Sequence, residues 1–411
     1  MRKLALFLSI LSLVWSADAP LTTMHGQYRI NFYDASQPTS PSQRAARVRI
    51  RQDFNTLFDE TLTTAVRFQL NHTNDSLTNA QDVSGNDVQI RHAYIDYHPN
   101  AASIWRMGFI PVTEFAHDLL YSKTWGYNPL ALEWFGLWEV WRGHAFVAQL
   151  YEDNELLRTD NMTHYQLDGA FTTTHTQTTL SISTLHIDKA GFYGYHTTAA
   201  LTWDARPIDA LTLGAQLFYS YSDATLFASP SPAQGIAATA RASLTLQALQ
   251  MEALASHATG DTQGKGFLTP MSFTKTNSYW GYTGIATVTF QTDTGFDGHS
   301  VHLSNNGHGL SALQSRLTYA LTPVDALIAS AGWFGNTRVN GAPSTVALDA
   351  LLYGYHSFNR YFRLDVGIDA ARLYSGLKPY HSGVLGSTQA ITQTQDAFTQ
   401  IAFFGRVQVE Y

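Results

Sequence analysis

Arg47-Val48-Arg49-Ile50-Arg51 alternates arginine and aliphatic side chain at every step. A helix would scatter these arginines around its circumference, whereas an extended strand puts all three on one face and Val48 and Ile50 on the other. The same period of two recurs along the chain. Leu62, Val66, Phe68 and Leu70 oppose Thr63, Ala65, Arg67 and Gln69, and Trp105, Met107 and Phe109 oppose Ile104, Arg106 and Gly108. Tyr165/Leu167/Phe171, Leu211/Leu213/Ala215/Leu217/Tyr219 and Phe362/Leu364/Val366/Ile368 follow the same rule. A soluble two-layer sandwich would alternate as well, so the period establishes strands but not their surroundings.

The connections narrow the choice. Short ones fall at Asn55–Glu60, Pro99–Ser103, Arg142–His144, Thr174–Gln177, Ala205–Asp209, Ala248–Gln250, Pro323–Ala326 and Ser357–Arg360. Long polar ones fall near 34–42, 72–86, 111–133, 152–162, 188–194, 223–234, 259–308, 336–345 and 375–396. Short turns on one side and long loops on the other are the habit of bacterial transmembrane barrels. These connections separate eighteen strands, with 259–308 read as a single outer loop. A strand at Tyr282–Phe290 would raise the count to twenty.

Composition agrees. Charged residues are 14 % and aromatic residues 13 % of 411, against roughly 25 % charged in an ordinary soluble domain. Arg2 and Lys3 followed by apolar Leu4–Trp15 read as a signal peptide, residues 1–16, with Ala19 the alternative cleavage point. No apolar run reaches the ~20 residues of a spanning helix. An exported chain then crosses a membrane only as a closed barrel, because every backbone polar group must be paired inside the wall. Tyr28, Tyr33, Tyr97, Trp105, Trp141, Trp203, Tyr219, Tyr319, Phe362 and Tyr411 lie near strand ends, where interfacial girdles form. The last strand, Phe403 to Tyr411, ends on an aromatic residue, which looks like the recognition signal of barrel assembly. The fold expected for residues 17–411 is one all-β antiparallel barrel in the outer membrane of a Gram-negative bacterium. The partners expected are membrane lipids, lipopolysaccharide and the barrel-assembly machinery. The net charge of −7 gives no footprint for nucleic acid, and no cofactor or metal is expected.

Of the 25 basic residues 19 are arginine. A cation on the lipid face at mid-membrane costs about 2–4 kcal/mol, so Arg29, Arg47, Arg49, Arg51, Arg67, Arg106, Arg241, Arg316, Arg363 and Arg406 are expected to point inward. The facing of Arg91 is ambiguous, because Val88–His98 alternates poorly. Arg47, Arg49 and Arg51, about 7 Å apart along one face, would make a track for anions. The competing reading is structural, since Glu139, Asp168, Asp349, Asp365, Asp369 and Glu410 are also placed inward and arginine–carboxylate pairs would brace the wall.

Three segments carry a resemblance to a known family. They are Arg47–Arg51 with Phe54–Leu62, Ile90-Arg91-His92-Ala93-Tyr94-Ile95-Asp96, and His257-Ala258-Thr259-Gly260-Asp261 with Phe267-Leu268-Thr269-Pro270 and Tyr282-Thr283-Gly284. In these the chain resembles the alginate-export porins, eighteen-stranded outer-membrane barrels. The resemblance implies passive diffusion of an anionic polysaccharide past Arg47, Arg49, Arg67, Arg106, Arg316 and Arg406, with Glu139 as acidic counterpart. Arg142 departs from it by falling at a short turn.

The function expected is passage of small or anionic solutes through an arginine-lined lumen. An outer-membrane hydrolase is the rival from another class, but no Gly-x-Ser-x-Gly occurs and His299, His302 and His308 are irregularly spaced for a metal helix. An adhesin-like barrel is the other alternative. Loop 111–133, with Phe115, Trp125 and Tyr127, would either narrow the pore or stay outside. Asp75, Asp82, Asp87, Asp293 and Asp297 read as solvated loop acids rather than calcium ligands.

Overall fold

The computed structural model describes residues 20–37, 40–75, 87–112, 128–151, 161–189, 192–223, 232–273, 281–284, 303–337, 345–374 and 397–411. The expected signal peptide lies outside them. So do the acids Asp82, Asp293 and Asp297 and most of loop 111–133.

The strands are β1 (Leu21–Gln37), β2 (Ser40–Leu57), β3 (Leu62–Asp75), β4 (Asp87–Asn100), β5 (Ser103–Phe109) and β6 (Leu130–Trp138). They continue as β7 (Trp141–Tyr151), β8 (Asn161–Thr172), β9 (Thr176–Lys189), β10 (Phe192–Ile208), β11 (Leu211–Ser222) and β12 (Ala233–Leu246). The last six are β13 (Leu249–Ala258), β14 (Leu310–Ala320), β15 (Asp325–Asn336), β16 (Thr345–Ser357), β17 (Phe362–Leu373) and β18 (Phe398–Glu410). Each pairs antiparallel with its neighbours, and β1 pairs with both β2 and β18. The sheet is therefore a closed eighteen-stranded barrel with no free edge.

Alternation decides which face meets lipid. On β11, Leu217 is 53 % exposed and Tyr219 47 %, while Phe218 between them and Gln216 and Ser220 on either side are buried. Tyr97, Trp105, Trp141, Trp203, Tyr319 and Tyr411 are likewise exposed on the outer face near strand ends. Apolar side chains outside and polar ones inside invert the soluble pattern, as a wall between lipid and a polar interior requires. The chain is an outer-membrane barrel.

Several connections differ from the expectation. β1 runs to Gln37 and β2 starts at Ser40, with those two residues paired, and β9 and β10 leave only 190–191 between them. Neither is the long loop expected near 34–42 or 188–194. β6 begins at Leu130, so Glu133 belongs to the wall and not to a loop. The turn expected at Arg142–His144 falls instead at 139–140, where Trp138 pairs with Trp141. Gly143 is not a turn glycine. It lies opposite Gly136 in the ladder, and a Cβ at either position would meet the rings of Trp134 and Trp138. This moves Arg142 into β7, where it donates to Gln177 at 2.5 Å. It moves Glu139 out of the wall into the turn, exposed and with φ 45°. Glu139 is therefore not an inward acidic counterpart. Tyr282–Gly284 belong to no strand, and the remainder of the strand considered at Tyr282–Phe290 lies outside the described residues.

Candidate functional site

The inner face of β1 to β4 carries a basic track. Arg29 and Arg49 stand directly opposite each other, and Arg51 stands opposite Gln27 on one side and Gln69 on the other. Like charges placed opposite each other weaken strand pairing, and glutamine oxygens are among the groups that hold them here. Arg29 Nε donates to Gln408 Oε1 at 3.0 Å, Arg49 Nη2 to Gln27 Oε1 at 3.1 Å, and Arg51 Nε to Gln69 Oε1 at 2.6 Å. An amide oxygen orients a guanidinium without cancelling its charge. Arg67 differs, because Asp53 binds it through two hydrogen bonds of 2.5 and 2.7 Å.

The position of Arg91 follows from a β-bulge. Arg67 faces His92 and Phe68 faces Ile90, so Arg91 is the extra residue on β4. Arg29, Arg49, Arg67 and Arg91 all lie near enough to act on the Arg51 charge. Arg51, Arg67 and Asp53 line a cavity of about 570 Å³ together with Gln27 and Glu410. The backbone of Arg47 continues the register, opposite Asn31 and Thr73. Its side chain lies outside the description.

The other arginines meet carboxylates. Arg106 donates to Asp96 at 2.7 and 2.9 Å, approaches Glu133 at 3.5 Å, and lies 4.3 Å above the Tyr94 ring. Glu133 and Asp168 hold the buried His144 ring at its two nitrogens, 2.8 and 2.5 Å away. Arg241 pairs with Asp204 at 2.7 Å and Arg316 with Glu252 at 2.5 Å. Arg363 and Arg406 share Asp365 at 2.5 and 2.9 Å. The sequence reading missed Asp53, Asp96, Glu133, Asp204 and Glu252 as inward partners. Cross-strand register supplies the signal, which one strand's period cannot give: Asp96 is opposite Arg106, and Glu252 is opposite Arg316.

The connection 259–309 corrects the reading of an outer loop, because its described parts pack on the inner wall. Leu268 N donates to the inward Ser220 Oγ at 3.0 Å, and Tyr282 N to the inward Gln314 Oε1 at 2.8 Å. Phe267 lies 6.1 Å from Phe218, Phe273 lies 4.7 Å from His196, and Arg316 sits over the Tyr282 ring at 4.6 Å. Burial of these apolar groups against the wall holds the segment inside the barrel. Ile110 and Val112, where loop 110–129 leaves β5, are also fully buried. Among the described residues no three His, Cys, Asp or Glu side chains converge as a metal-binding group.

No family model matches the sequence, and no curated protein is similar to it. Solved structures are similar in fold. OpdK of Pseudomonas aeruginosa, solved with vanillate, has TM-score 0.56 at 12 % identity, over 94 % of this chain and 99 % of that one. OccK5 (OpdH) of the same organism gives 0.60 at 10 %, over 95 % and 98 %. OpdQ, also from it, gives 0.57 at 10 %, over 95 % and 99 %. At such identity the likeness carries the barrel fold. None of these comparisons points to the alginate-export family.

Proposed function

We propose that the protein is a porin through which small anionic solutes diffuse passively, guided by Arg29, Arg49 and Arg51, with Arg67 beside them paired to Asp53. The observation that carries this reading is the opposition of Arg29 and Arg49, each bound by a glutamine oxygen. The second reading, bracing of the wall by opposite charges, suits Arg106, Arg241, Arg316, Arg363 and Arg406, each beside a carboxylate. Clustered guanidinium groups in a confined aqueous passage raise local anion concentration and pair readily with carboxylates and phosphates. The described parts of the connection 259–309, packed on the inner wall, favour small solutes over an extended anionic polysaccharide. Vanillate, the carboxylate in the OpdK structure, is of the size class such a passage would admit.

The test is single-channel recording in planar bilayers under a KCl gradient. The reversal potential of the native chain should report anion preference. Replacing Arg29, Arg49 and Arg51 together by Gln should move it toward the unselective value. A cation-selective native channel, or a triple variant with unchanged reversal potential, would remove the basis of the proposal.

A further inference from the structure

At the short-turn end, which faces the periplasm in such barrels, the described ladder between β1 and β18 stops at Gly26 and Tyr411, while β1 runs on to Leu21 paired with β2. The cavity of about 570 Å³ that takes in Arg51 and Glu410 lies at this step, and Arg360 and Tyr361 of the turn before β17 line it as well. It joins the two faces of the wall. Arg51 and Glu410 point inward, whereas Tyr411 lies on the outer face and is 55 % exposed. Aromatic side chains at strand ends sit at the level of the lipid headgroups, so the cavity opens at headgroup depth.

Its charges are only partly used. Asp53 and Arg67 satisfy each other through two hydrogen bonds and leave no net charge. Arg51 donates from Nε alone, to Gln69, so neither Nη group has a hydrogen-bond partner among the described residues. Arg360 gives Nη2 to the Tyr361 hydroxyl and lies 4.4 Å from the centre of that ring, which leaves Nε and Nη1. Glu410 accepts at Oε1 from Gln27 and Gln408, at 2.8 and 2.5 Å, which leaves Oε2. Two guanidinium groups and one carboxylate thus line a single space with unused hydrogen-bonding capacity of both signs. A simple permeating anion would gain from the arginines but meet repulsion at Glu410. A zwitterion with a phosphate and an ammonium group a short linker apart would use all three, the phosphate on the arginine forks and the ammonium on the carboxylate.

We infer that this cavity binds the headgroup of a zwitterionic phospholipid of the periplasmic leaflet, with Arg51 and Arg360 on the phosphate and Glu410 on the ammonium group. The site shares Arg51 with the anion track, but it rests on the cavity and its two signs of charge and not on the porin reading.

The test is native mass spectrometry of the full barrel in a neutral maltoside detergent, titrated with dioleoylphosphatidylethanolamine. Dioleoylphosphatidylglycerol, which lacks the ammonium group, and inorganic phosphate serve as comparisons. One phosphatidylethanolamine should bind saturably and more tightly than phosphatidylglycerol. Arg360→Gln should weaken both lipids on the order of fivefold. Glu410→Gln should weaken phosphatidylethanolamine alone and remove the preference between the two. Both residues are exposed at the rim, and heat-modifiability of each variant establishes that the barrel has folded. Absence of saturable binding to the native chain overturns the inference, as does native affinity for both lipids in folded Arg360→Gln. Equal affinity of the native chain for the two lipids also overturns it. Inorganic phosphate that displaces the lipid at matching concentration would assign the cavity to a free solute instead. Loss of anion preference in bilayers would leave the lipid result untouched, so the two readings fail separately.

Discussion

Arg29 and Arg49 face each other across β1 and β2 and are bound by glutamine oxygens, whereas Arg67, Arg106, Arg241, Arg316 and Arg406 are each bound by a carboxylate. The contrast lies in the acceptor. Gln27, Gln69 and Gln408 accept from their arginines without adding a charge of their own, while Asp53 neutralises Arg67. Replacing Asp53 by Asn should therefore strengthen anion preference, because it releases the Arg67 charge into the same cavity. A reversal potential equal to that of the native channel would show that Arg67 does not face the permeating ion. The turn after β2 gives a prediction of another kind. Asp59 accepts from Thr61 Oγ1 and from Thr61 N, each at 2.7 Å, and these bonds hold its exposed carboxyl below the ordinary aspartate range. A depressed folded value stabilises above the unfolded pKa, and the benefit is lost as pH falls through the folded one. NMR titration of Asp59 should locate that value, and Thr61→Val should raise it; an unchanged midpoint would assign the shift elsewhere. At this scale the sequence showed which arginines alternate with apolar residues. It did not show their partners, because opposition is set by the register of two strands and each strand's period is silent about it.

Among the elements, the connection between β13 and β14 has most consequence for passage. Its two ends are sewn together by backbone: Asp261 N and Gly266 N both donate to Gly307 O, at 3.0 and 2.9 Å. Gly307 has φ +79°, and a Cβ there would meet the carbonyl of Gly264, so neither the angle nor the space admits a side chain. From that base Phe267, Leu268 and Leu303 enter the barrel and are fully buried or nearly so. Exchanging residues 268–303 for a short Gly-Ser linker should raise single-channel conductance, and the altered barrel should still migrate as a folded species. Conductance equal to the native value would mean that this segment does not limit flow. The loop itself was legible as an interruption of the strand period. Its direction was not, although the apolar Phe267-Leu268 and Phe273 inside a polar stretch had no reason to face water. The displaced β6–β7 turn has a similar origin, because Gly143 reads as a turn residue until its ladder partner Gly136 and the rings above both are known.

For the whole molecule the decisive joint is the seam between β1 and β18. Eighteen strands were countable from turn spacing, since polar turns punctuate apolar alternation whatever the pairing partner; closure needed the register. Gly26 N donates to Tyr411 O at 2.9 Å, and Tyr411 N returns the bond to Gly26 O at 3.1 Å. The Tyr411 ring occupies the space where a Cβ on Gly26 would lie, and its hydroxyl donates to Gln52 Oε1 on β2 at 2.6 Å. One terminal aromatic thus spans three strands, and the missing side chain at Gly26 makes room for it. Removing the hydroxyl alone, Tyr411→Phe, should cost about 0.5–1.5 kcal/mol and lower the temperature at which the folded gel band converts to the unfolded one. Gly26→Val should lower it further, because a branched side chain must displace the ring and with it both the packing and the Gln52 bond. The order native, Tyr411→Phe, Gly26→Val is the expected result of the heat-modifiability series. A Gly26→Val barrel as resistant as the native one would show that the seam is held by its backbone ladder and that the terminal ring adds nothing to closure.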